Sequence, residues 1–391
     1  MKILVLNAGS STLKAALREI GPGLPPAAPT PALWEARAEW GGKPPLEIVR
    51  ALMAPIAERV RELDVVGHRV VHAGKPFDPA VITPELLARI RKWSELAPAH
   101  RMEIEVIEAA IPMFGPETRQ IAVFDSAFHR NMPPEARVYP GPYAWFEQGI
   151  ERFGFHGISH QYTARRAAEI LGREPECLKL ITCHLGNGAS LAAVRSGHSV
   201  DTTMGFTPLE GLMMGARSGS VDPGILIYLV RYCGYTAADL DKMLNEESGL
   251  KGVSGISGDM REILKAMAAG SRRATLAFDV YTHRLAKEIA AMAASLGGAD
   301  ALVFTGGVGE NAPRLRAAVC DRVRFLGVKL DAERNTDGPS DADIAAADSH
   351  ARVLVVRTNE EWEIARECYL SLAPPPAQPP SKAGERGVPL P

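Results

Sequence analysis

The sequence predicts an α/β protein with more than one domain, and three observations support this prediction. The chain has 391 residues, whereas an ordinary domain has about 150, so two or three domains are expected. Short apolar runs typical of buried strands alternate with segments of helical periodicity. Residues 7–16 and 186–193 share a small polar turn followed by leucine and two alanines. A similarity this short is explained equally well by duplication of a lobe and by chance.

The composition is that of a folded globular chain without a strong charge bias. Apolar residues make up 46% and charged residues 23% of the sequence, the usual balance for globular proteins. Lysine plus arginine number 44 against 46 aspartate plus glutamate, a formal charge of −2. Neither nucleic acid nor a membrane surface is therefore expected as a partner. An anionic ligand would have to be held by local positive charge.

The chain is expected to work in the cytoplasm. Its five cysteines are scattered and form no C-x-x-C pair, so neither a disulfide framework nor a zinc ribbon is predicted. The apolar run at residues 3–6 is too short for the core of a secretion signal. No stretch approaches the roughly 20 apolar residues that a membrane span requires.

The expected elements follow in order along the chain. Residues 1–6 form a strand that stops at a polar turn, and the Pro- and Gly-rich residues 21–31 form a surface loop. A helix is expected at 84–93, and a long helix through residue 296 is expected to end at Gly297. Further strands are expected at 65–71, 120–124, 180–183, 301–305 and 353–356.

The proline-rich residues 131–150 are interpreted as the passage between two lobes. Near the C-terminus, the spacing of Thr358 and Glu361 matches a capping box that opens a helix. The predicted units are residues 1–148, residues 149–358, a helix at 359–372 that returns to the first lobe, and a disordered proline-rich tail at 373–391.

Three strand-to-turn junctions rich in glycine, serine and asparagine suit a phosphate group. They lie at residues 7–12, 184–190 and 306–311. Small residues let backbone N–H groups converge on an anion. One such turn is most often only a turn, but three in one chain favour a nucleotide. The motif G-x-x-x-x-G-K-[ST] does not occur, so the phosphate loop of the common ATPases is not expected.

The third junction leaves another interpretation open. Gly307-x-Gly309-x-x-Ala312 follows a strand, Pro313 is placed to open a helix, and Asp331 lies about twenty residues on, which nearly satisfies the dinucleotide fingerprint. An NAD-dependent dehydrogenase is therefore an alternative, although it leaves the other two junctions without a role. A non-catalytic nucleotide-binding protein is a second alternative.

Several polar residues lie among apolar or small neighbours and are candidates for a functional site. Arg69 and Arg217 each need an anion or a carboxylate in such surroundings, so each either binds a ligand or forms an internal ion pair. Asp125, at a strand end, and His156 are either site residues or structural polar groups. His156 and His160 have the spacing of two metal ligands, but no H-E-x-x-H pattern and no third ligand supports a metal site there.

Nine ordered segments, spread from residue 1 to about residue 372, resemble the acetokinase family. They are KILVLNAGSSTLK, GHRVVHAG, VFDSAFH, RFGFHGISH, ITCHLGNGAS, MGFTPLEGLMMGARSGSVDPG, GVSGISGDMRE, VFTGGVGEN and RTNEEWEIARE. The resemblance implies two lobes of duplicated ribonuclease H-like architecture, as in actin and hexokinase, with ATP in the cleft between them. It further implies a Mg²⁺-dependent kinase, with Mn²⁺ as an alternative ion, that converts acetate and ATP reversibly to acetyl phosphate. A homodimer formed through the second lobe is also implied.

The resemblance assigns residues to this reaction. Catalysis is assigned to Asp125, His156, Arg217 and Arg69, and the metal to Asn7 and Glu360. The carboxylate substrate is assigned to Arg69, Val71, Ala99, Phe155 and Pro208. The nucleotide is assigned to Ser10, Ser11, Thr12, Lys14, His184, Leu185, Gly186, Asn187, Gly188, Asp259, Met260, Arg261, Gly307, Val308, Gly309, Glu310 and Asn311. For Glu360, the alternative is a first-turn carboxylate that serves only the helix dipole.

Elementary electrostatics supports a cationic site, and two departures from the family pattern bear on specificity. Acetate beside the γ-phosphate of ATP places like charges together, and in a low-dielectric cleft their repulsion costs several kcal/mol. Ala99 stands where the family usually has leucine, so propionate or butyrate is an alternative substrate to acetate. Met260 replaces the usual phenylalanine near the adenine and is expected to loosen nucleotide selection.

Overall fold

The structure, a computed structural model, describes residues 1–9, 12–75, 78–94, 99–115, 117–337 and 341–372. Within these ranges it also describes the side chains, except those of residues 60, 61, 94, 99 and 100. The predicted tail at 373–391 lies outside the described residues. The strands form two six-stranded sheets.

The first sheet has the strand order β3-β2-β1-β4-β6-β5. Its strands are β1 (Lys2–Ala8), β2 (Thr12–Glu19), β3 (Trp34–Glu39), β4 (Val65–Val70), β5 (Ala80–Val81) and β6 (Arg119–Phe124). β1 and β2 form an antiparallel hairpin that β3 extends. β4 lies parallel to both β1 and β6, and β5 closes the far edge in the antiparallel direction.

The second sheet repeats the first, with the order β11-β12-β10-β7-β8-β9. Its strands are β7 (Lys179–Leu185), β8 (Ala189–Arg195), β9 (His198–Thr202), β10 (Ala301–Thr305), β11 (Ala342–Asp343) and β12 (Arg352–Val355). Every pair of neighbours runs in the same relative direction as its counterpart in the first sheet. The short similarity between residues 7–16 and 186–193 marks the equivalent hairpins β1–β2 and β7–β8. The predicted duplicated α/β architecture is therefore confirmed.

Helices cover the faces of both sheets. They are α1 (Pro45–Met53), α2 (Pro84–Ser94), α3 (Ala99–Phe114), α4 (Pro134–Arg137), α5 (Ala144–Glu147), α6 (Gly157–Leu171), α7 (Pro223–Cys233), α8 (Ala237–Glu246), α9 (Gly249–Ser254), α10 (Met260–Ala268), α11 (Arg272–Leu296), α12 (Gly306–Asn311), α13 (Pro313–Arg322), α14 (Ala332–Asp337) and α15 (Glu360–Leu372). α1 and α3 pack on the outer face of the first sheet, and α11 packs on the outer face of the second. Among the described residues, no helix combines the length and apolarity that crossing a membrane would demand.

Helices α6 and α15 lie between the two sheets and join them into one core. α15 packs on β1 and β4 of the first sheet, α6 packs on β7 and β10 of the second, and the two helices contact each other. The fully buried Trp362 and Tyr162 belong to this shared core. Burying large aromatic side chains removes about 150–250 Å² each from water, so this layer contributes strongly to holding the sheets together. The boundaries at residues 148 and 358 stay a prediction.

Most elements lie where the sequence places them, with one error in a helix cap. The long helix α11 ends at Gly297, which adopts the left-handed conformation with φ of 66°. The last helix, however, is capped by Asn359, whose Oδ1 accepts a hydrogen bond of 3.0 Å from the Trp362 backbone N–H. Thr358, the predicted cap, instead directs its hydroxyl to Ser159 at 3.3 Å. Both residue types cap helices, so the sequence pattern does not determine the position to within one residue.

Candidate active site

A cavity of about 640 Å³ opens where the carboxyl ends of the parallel strands of both sheets meet. Residues on or just after β1, β4 and β6 line it from the first sheet, and residues on or just after β7 and β10 line it from the second. Open α/β sheets bind ligands at this end of their strands. The cavity therefore lies between the two repeats and receives polar side chains from both.

The cavity collects most of the residues that the sequence assigns to a site. The assigned residues that line it are Asn7, Thr12, Lys14, Arg69, Val71, Asp125, Phe155, His156, His184, Gly186, Asn187, Gly188, Pro208, Arg217, Gly307 and Glu360. Ser10, Ser11 and the side chain of Ala99 lie outside the described residues. The assigned residues that do not line the cavity are Leu185, Asp259, Met260, Arg261, Val308, Gly309, Glu310 and Asn311. The individual roles stay predictions.

The assigned residues away from the cavity wall have structural contacts of their own. Met260 is buried in the core of the second sheet, and Asp259 caps α10 by accepting a 2.8 Å hydrogen bond from the Arg261 backbone. Glu310 braces two turns, because its Oε1 accepts hydrogen bonds of 3.0 Å from the backbone N–H groups of Gly306 and Thr358. Of these residues, Glu310 supports the cavity wall indirectly, since Gly306 and Thr358 both line the cavity.

Arg69 lies between two buried carboxylates. Its Nη2 donates to Asp125 Oδ2 at 2.6 Å, and its Nη1 contacts both Glu103 Oε1 and the Ala8 carbonyl at 3.1 Å. The other oxygen of Glu103 accepts a 2.9 Å hydrogen bond from the Val71 backbone N–H. Arg69 thus forms the internal ion pair that the sequence leaves as one of its two interpretations, while its side chain still lines the cavity.

Burial and charge act against each other in this cluster. Burial raises the pKa of Glu103 to about 8, although Arg69 acts to lower it. Burial also raises the pKa of Asp125, with Arg69 opposing and Glu360 reinforcing the change. For Arg69, burial opposes the charged form, but Asp125 and Glu103 outweigh it and raise the pKa. The guanidinium is therefore charged at any physiological pH.

Arg217 has different surroundings. Its Nη1 donates to the Pro208 carbonyl at 3.2 Å, and no acidic partner is found for it in the described part of the chain. Burial and then the charge of Arg69 lower the pKa of Arg217, but an arginine stays protonated through such shifts because its ordinary pKa exceeds about 12. Arg217 therefore brings a positive charge to the cavity that no described carboxylate balances.

A sharp turn places His156 in the cavity wall. His156 precedes α6 in the left-handed conformation, with φ of 56°, and Gly157 donates its backbone N–H to the Asp125 carbonyl at 2.7 Å. A Cβ on Gly157 would lie 2.2 Å from that carbonyl oxygen, so only glycine allows this approach. The ring of His156 stacks on His184 with centroids 4.3 Å apart. Burial, followed by neighbouring positive groups, lowers the pKa of His156 well below its usual value.

The N-terminus of α15 brings oxygen ligands to the cavity. Asn7 Nδ2 donates to Glu360 Oε2 at 2.9 Å and to Glu361 Oε1 at 2.8 Å, across 353 residues of chain in the first case. Burial opposes ionisation of Glu360, but Arg69, Lys14 and His184 lower its pKa overall. Within the described ranges, no group of three or more His, Cys, Asp or Glu side chains is arranged to hold a metal ion.

The donor set nevertheless fits Mg²⁺ bound together with a phosphorylated ligand. Mg²⁺ is usually held by one or two carboxylates, by phosphate oxygens and by several waters. Glu360 and Asn7 line the cavity with side-chain oxygens that would be available to such an ion, and the buried Asp125 Oδ1 has no hydrogen-bond partner among the described residues. An acidic oxygen left without a donor at the cavity suits a cation or a hydrogen-bond donor of a ligand.

Sequence reasoning missed several residues of the site. Glu103 lies on the buried face of α3, one turn before Ile107, so a carboxylate on an apolar helix face is the available signal. The sequence pattern predicts for Glu361 only a role in capping the last helix. In the structure its Oε1 also lies 3.5 Å from Lys14 Nζ. No local pattern marks Arg37 or Asp241, which line the cavity from β3 and α8.

Comparisons with known proteins identify the family of this chain. Residues 45–366 match the Acetokinase family. The chain is 52% identical to the acetate kinase of Gloeobacter violaceus, over 95% of this chain and 100% of that one. It is 52% identical to the acetate kinase of Nostoc punctiforme, over 94% and 99% of the two chains.

Solved structures give the same result. The crystal structure of Porphyromonas gingivalis acetate kinase has a TM-score of 0.83 and 37% identity, covering 95% of this chain and 100% of that one. A propionate kinase from Francisella tularensis has a TM-score of 0.82 and 36% identity, covering 94% and 98%. These matches reject the dehydrogenase interpretation of residues 307–312. The chain belongs to the acetokinase family.

Proposed function

We propose that this protein catalyses the reversible transfer of the γ-phosphoryl group of ATP to acetate, giving acetyl phosphate and ADP. One observation supports this most directly. Arg69, His156 and Arg217 come from three separate segments, yet they line one cavity together with Asn7 and Glu360. This is the arrangement that a reaction between two anions requires, because positive charge has to offset their repulsion.

The chemistry is a direct displacement at phosphorus. A carboxylate oxygen of acetate forms a bond to the γ-phosphorus, and the bond from that phosphorus to the bridging oxygen breaks, leaving its electron pair on ADP. The acceptor is already an anionic nucleophile, so no side chain has to remove a proton. The work left to the protein is positioning and charge stabilisation, which dominate phosphoryl transfer.

The two arginines would divide this work. Arg69 is held in place by its contacts with Asp125 and Glu103, so its role would be to orient the carboxylate substrate. Arg217 lacks such a partner among the described residues, and its charge is available to the transferring phosphoryl group. His156 and Arg217 both lie beside Gly188. A Cβ added to Gly188 would be 3.3 Å from His156 Nε2 and 3.6 Å from Arg217 Nη1.

We further propose that Asn7 and Glu360 hold Mg²⁺, with Asp125 nearby as an acidic oxygen without a described donor. The ion would supply positive charge that offsets the negative charge of the phosphate groups. The remaining nucleotide contacts would come from the three glycine-rich junctions, with Lys14 beside the first. Lys14 is 3.5 Å from Glu361, which keeps its ammonium group at the cavity edge.

Glu360→Gln is expected to raise the half-saturating Mg²⁺ concentration about 10- to 100-fold, the usual effect of disturbing a metal site. The amide keeps the shape of the side chain but removes its charge. Initial rates measured against Mg²⁺ at saturating ATP give the value. Glu367→Gln is the matched control, because Glu367 lies on the same helix and hydrogen-bonds Gln161 at 2.8 Å, outside the cavity. An unchanged Mg²⁺ requirement in Glu360→Gln would remove Glu360 from the metal site.

The substrate is tested by trapping acyl phosphate with hydroxylamine. With ATP and Mg²⁺ the protein is expected to give the acyl hydroxamate from acetate. Val71, Phe155 and Pro208 line the cavity as its apolar part, and each extra methylene in such a pocket changes kcat/KM only about 10- to 200-fold. We therefore expect measurable turnover of propionate as well, and less of butyrate. ADP release without hydroxamate from any of the three acids would contradict the proposal.

We also propose that the protein is a cytoplasmic homodimer. All eleven residues of α7 avoid full burial in the single chain, and Ile225, Ile227, Tyr228, Val230 and Tyr232 are each about half exposed or more. Contiguous apolar surface of this kind is typical of a protein interface. The helix lies in the second repeat, where the family resemblance implies the dimer contact. The five cysteines are free thiols, as expected in a reducing compartment.

A further inference from the structure

Four side chains, beginning with His156, form an unbroken chain of short hydrogen bonds that leads away from the cavity. His156 Nδ1 and His160 Nε2 both lie 2.8 Å from the hydroxyl oxygen of Ser190. His160 Nδ1 lies 2.7 Å from the hydroxyl oxygen of Thr182. Thr182, His160 and Ser190 are fully buried and do not line the cavity. Their hydrogen bonds reach the site through His156.

The two nitrogens of His156 face different surroundings. Nδ1 is engaged with Ser190, whereas Nε2 lies on the side of Gly188 and Arg217, both of which line the cavity. A neutral imidazole carries its hydrogen on one nitrogen and a lone pair on the other. Only the tautomer with hydrogen on Nε2 can donate a hydrogen bond into the cavity. The opposite tautomer directs a lone pair at any phosphoryl oxygen placed there.

The hydroxyl of Ser190 decides between the two tautomers. It has one hydrogen, and its only hydrogen-bond partners among the described residues are two histidine nitrogens at the same distance. A buried hydroxyl hydrogen needs an acceptor, so Ser190 donates to one histidine and accepts from the other. If it donated to His160, Nδ1 of His156 would have to carry the hydrogen. If it donates to His156, His160 donates from Nε2, and His160 Nδ1 must accept.

Thr182 can provide the hydrogen that this second arrangement needs. Its hydroxyl lies 2.7 Å from His160 Nδ1 but 3.4 Å from its other acceptor, the Ala192 carbonyl. Hydroxyl hydrogen bonds are usually about 2.5–3.0 Å long, so donation to His160 gives up only a weak contact. Each donor from Thr182 to Ser190 is then matched with an acceptor at 2.8 Å or less, and the Nε2 hydrogen of His156 is left to donate into the cavity.

We infer that Ser190 and His160 are positioning residues that keep the hydrogen of His156 on Nε2, through hydrogen bonds that run from Thr182 to His160, to Ser190 and to His156. The neutral ring then donates to the transferring phosphoryl group. The inference rests on the proposed function, which supplies that group.

The protonation state of His156 makes its tautomer important. Burial lowers its pKa well below the usual value, and the neighbouring His184, His160, Arg69 and Arg217 lower it further. Burial, His129 and His184 act in the same way on the pKa of His160. Both rings are therefore neutral near pH 7, and a hydrogen on Nε2 has to come from the choice of tautomer and not from a second proton.

The tautomer can be read directly in the full-length protein by NMR with ¹⁵N-labelled histidine. In the unaltered protein at neutral pH, Nε2 of His156 is expected to be protonated and Nδ1 unprotonated. In Ser190→Ala this preference is lost, and kcat falls about 10- to 100-fold, as is usual when the partner that orients a functional imidazole is removed. The KM for ATP is expected to change less than about threefold, because Ser190 is a buried residue of β8 that does not line the cavity and the assigned nucleotide residues 184–188 keep their side chains.

Two further variants separate positioning from general damage. Thr182→Val keeps the shape of the side chain but removes the first donor, so it is expected to shift the tautomer in the same direction even if Ser190→Ala folds poorly. Ser199→Ala is the matched control, because Ser199 makes a buried 2.7 Å hydrogen bond to a different histidine, His129. We expect Ser199→Ala to lower stability and to leave both the His156 tautomer and kcat unchanged.

The decisive comparison is made in a His156→Ala background. If Ser190 acts through His156, Ser190→Ala lowers kcat no further there; an equal loss in both backgrounds overturns the inference. Hydrogen on Nδ1 in the unaltered protein also overturns it. Failure of the proposed function would be seen separately, as a lack of acyl hydroxamate with the unaltered protein. The NMR measurement of the His156 tautomer would remain valid in that case.

Discussion

Arg217→Ala is expected to lower kcat about 10³-fold, or about 4 kcal/mol, while changing the Kd for ATP less than about threefold. The guanidinium lines the cavity, and its described contacts are the Pro208 carbonyl at 3.2 Å and the Met214 sulfur at 4.0 Å. Its charge is therefore not neutralised by a described carboxylate. In the proposed reaction, charge that builds up during phosphoryl transfer would meet this cation in a low-dielectric cavity, whereas the adenosine part of ATP would be bound by other residues.

The measurement pairs steady-state kinetics with calorimetric titration of ATP. Arg217→Lys keeps the charge but loses the planar fork, so we expect it to recover only part of the lost rate. Arg324→Ala is the control, because Arg324 is largely exposed and pairs with Asp321 on the surface. A normal kcat in Arg217→Ala would exclude its assigned role, whereas a large loss of ATP affinity with normal kcat would make it a binding residue.

Arg69 would not give an equally clear result. Removing it leaves Asp125 and Glu103 buried without their shared cation, and an uncompensated buried charge typically costs about 3–5 kcal/mol of folding free energy. Loss of activity in Arg69→Ala would therefore combine catalysis with stability. The two arginines look alike in sequence, since both lie among apolar or small residues. Their difference comes from partners 34 and 56 residues away from Arg69.

This contrast shows which parts of the site local sequence could predict. Strand ends, glycine-rich turns and the apolar face of α11 follow from residue periodicity and turn chemistry, which act over a few residues. The strands that carry Asp125, His184 and Gly307 are accordingly predicted close to their observed positions. The carboxyl ends of parallel strands meet at one edge of a sheet. The predicted strands therefore also place most of the cavity-lining residues close together.

The parts that sequence reasoning missed depend on tertiary contacts. The edge strand β3 (Trp34–Glu39) alternates apolar and charged residues, which is a strand pattern, but alanine and glutamate have low strand propensity and make the signal weak. Glu103 and Ser190 acquire their roles only through partners brought close by folding, Arg69 for the first and His156 for the second. The error in the α15 cap, Thr358 instead of Asn359, has a local cause. Two adjacent residues that both cap helices compete for one position.

Buried histidines give the second large expected effect, on stability. Burial lowers the pKa of His68 to about 4, with Gln120 opposing, and burial likewise lowers the pKa of His129 to about 4. In the unfolded chain both titrate with a pKa of about 6.5. Between these values the unfolded state binds more protons than the native state, so stability is complete above about pH 6.5 and falls as the pH drops toward about 4. Each group removes on the order of 3 kcal/mol of stability once the pH is below both values.

We therefore expect the free energy of unfolding to decrease steeply between about pH 6.5 and pH 4, as measured by urea denaturation at a series of pH values. Glu103, Glu367 and Asp125 oppose this trend, because burial raises their pKa values and the native state binds their protons first. His156, His160 and His184 act in the same direction as His68, because burial lowers their pKa values too. His68→Gln is expected to flatten the slope by about one proton, since glutamine does not titrate. The exposed His283 is the control, and His283→Gln should keep the original slope. Equal slopes in His68→Gln and the unaltered protein would show that His68 is not kept neutral by the fold.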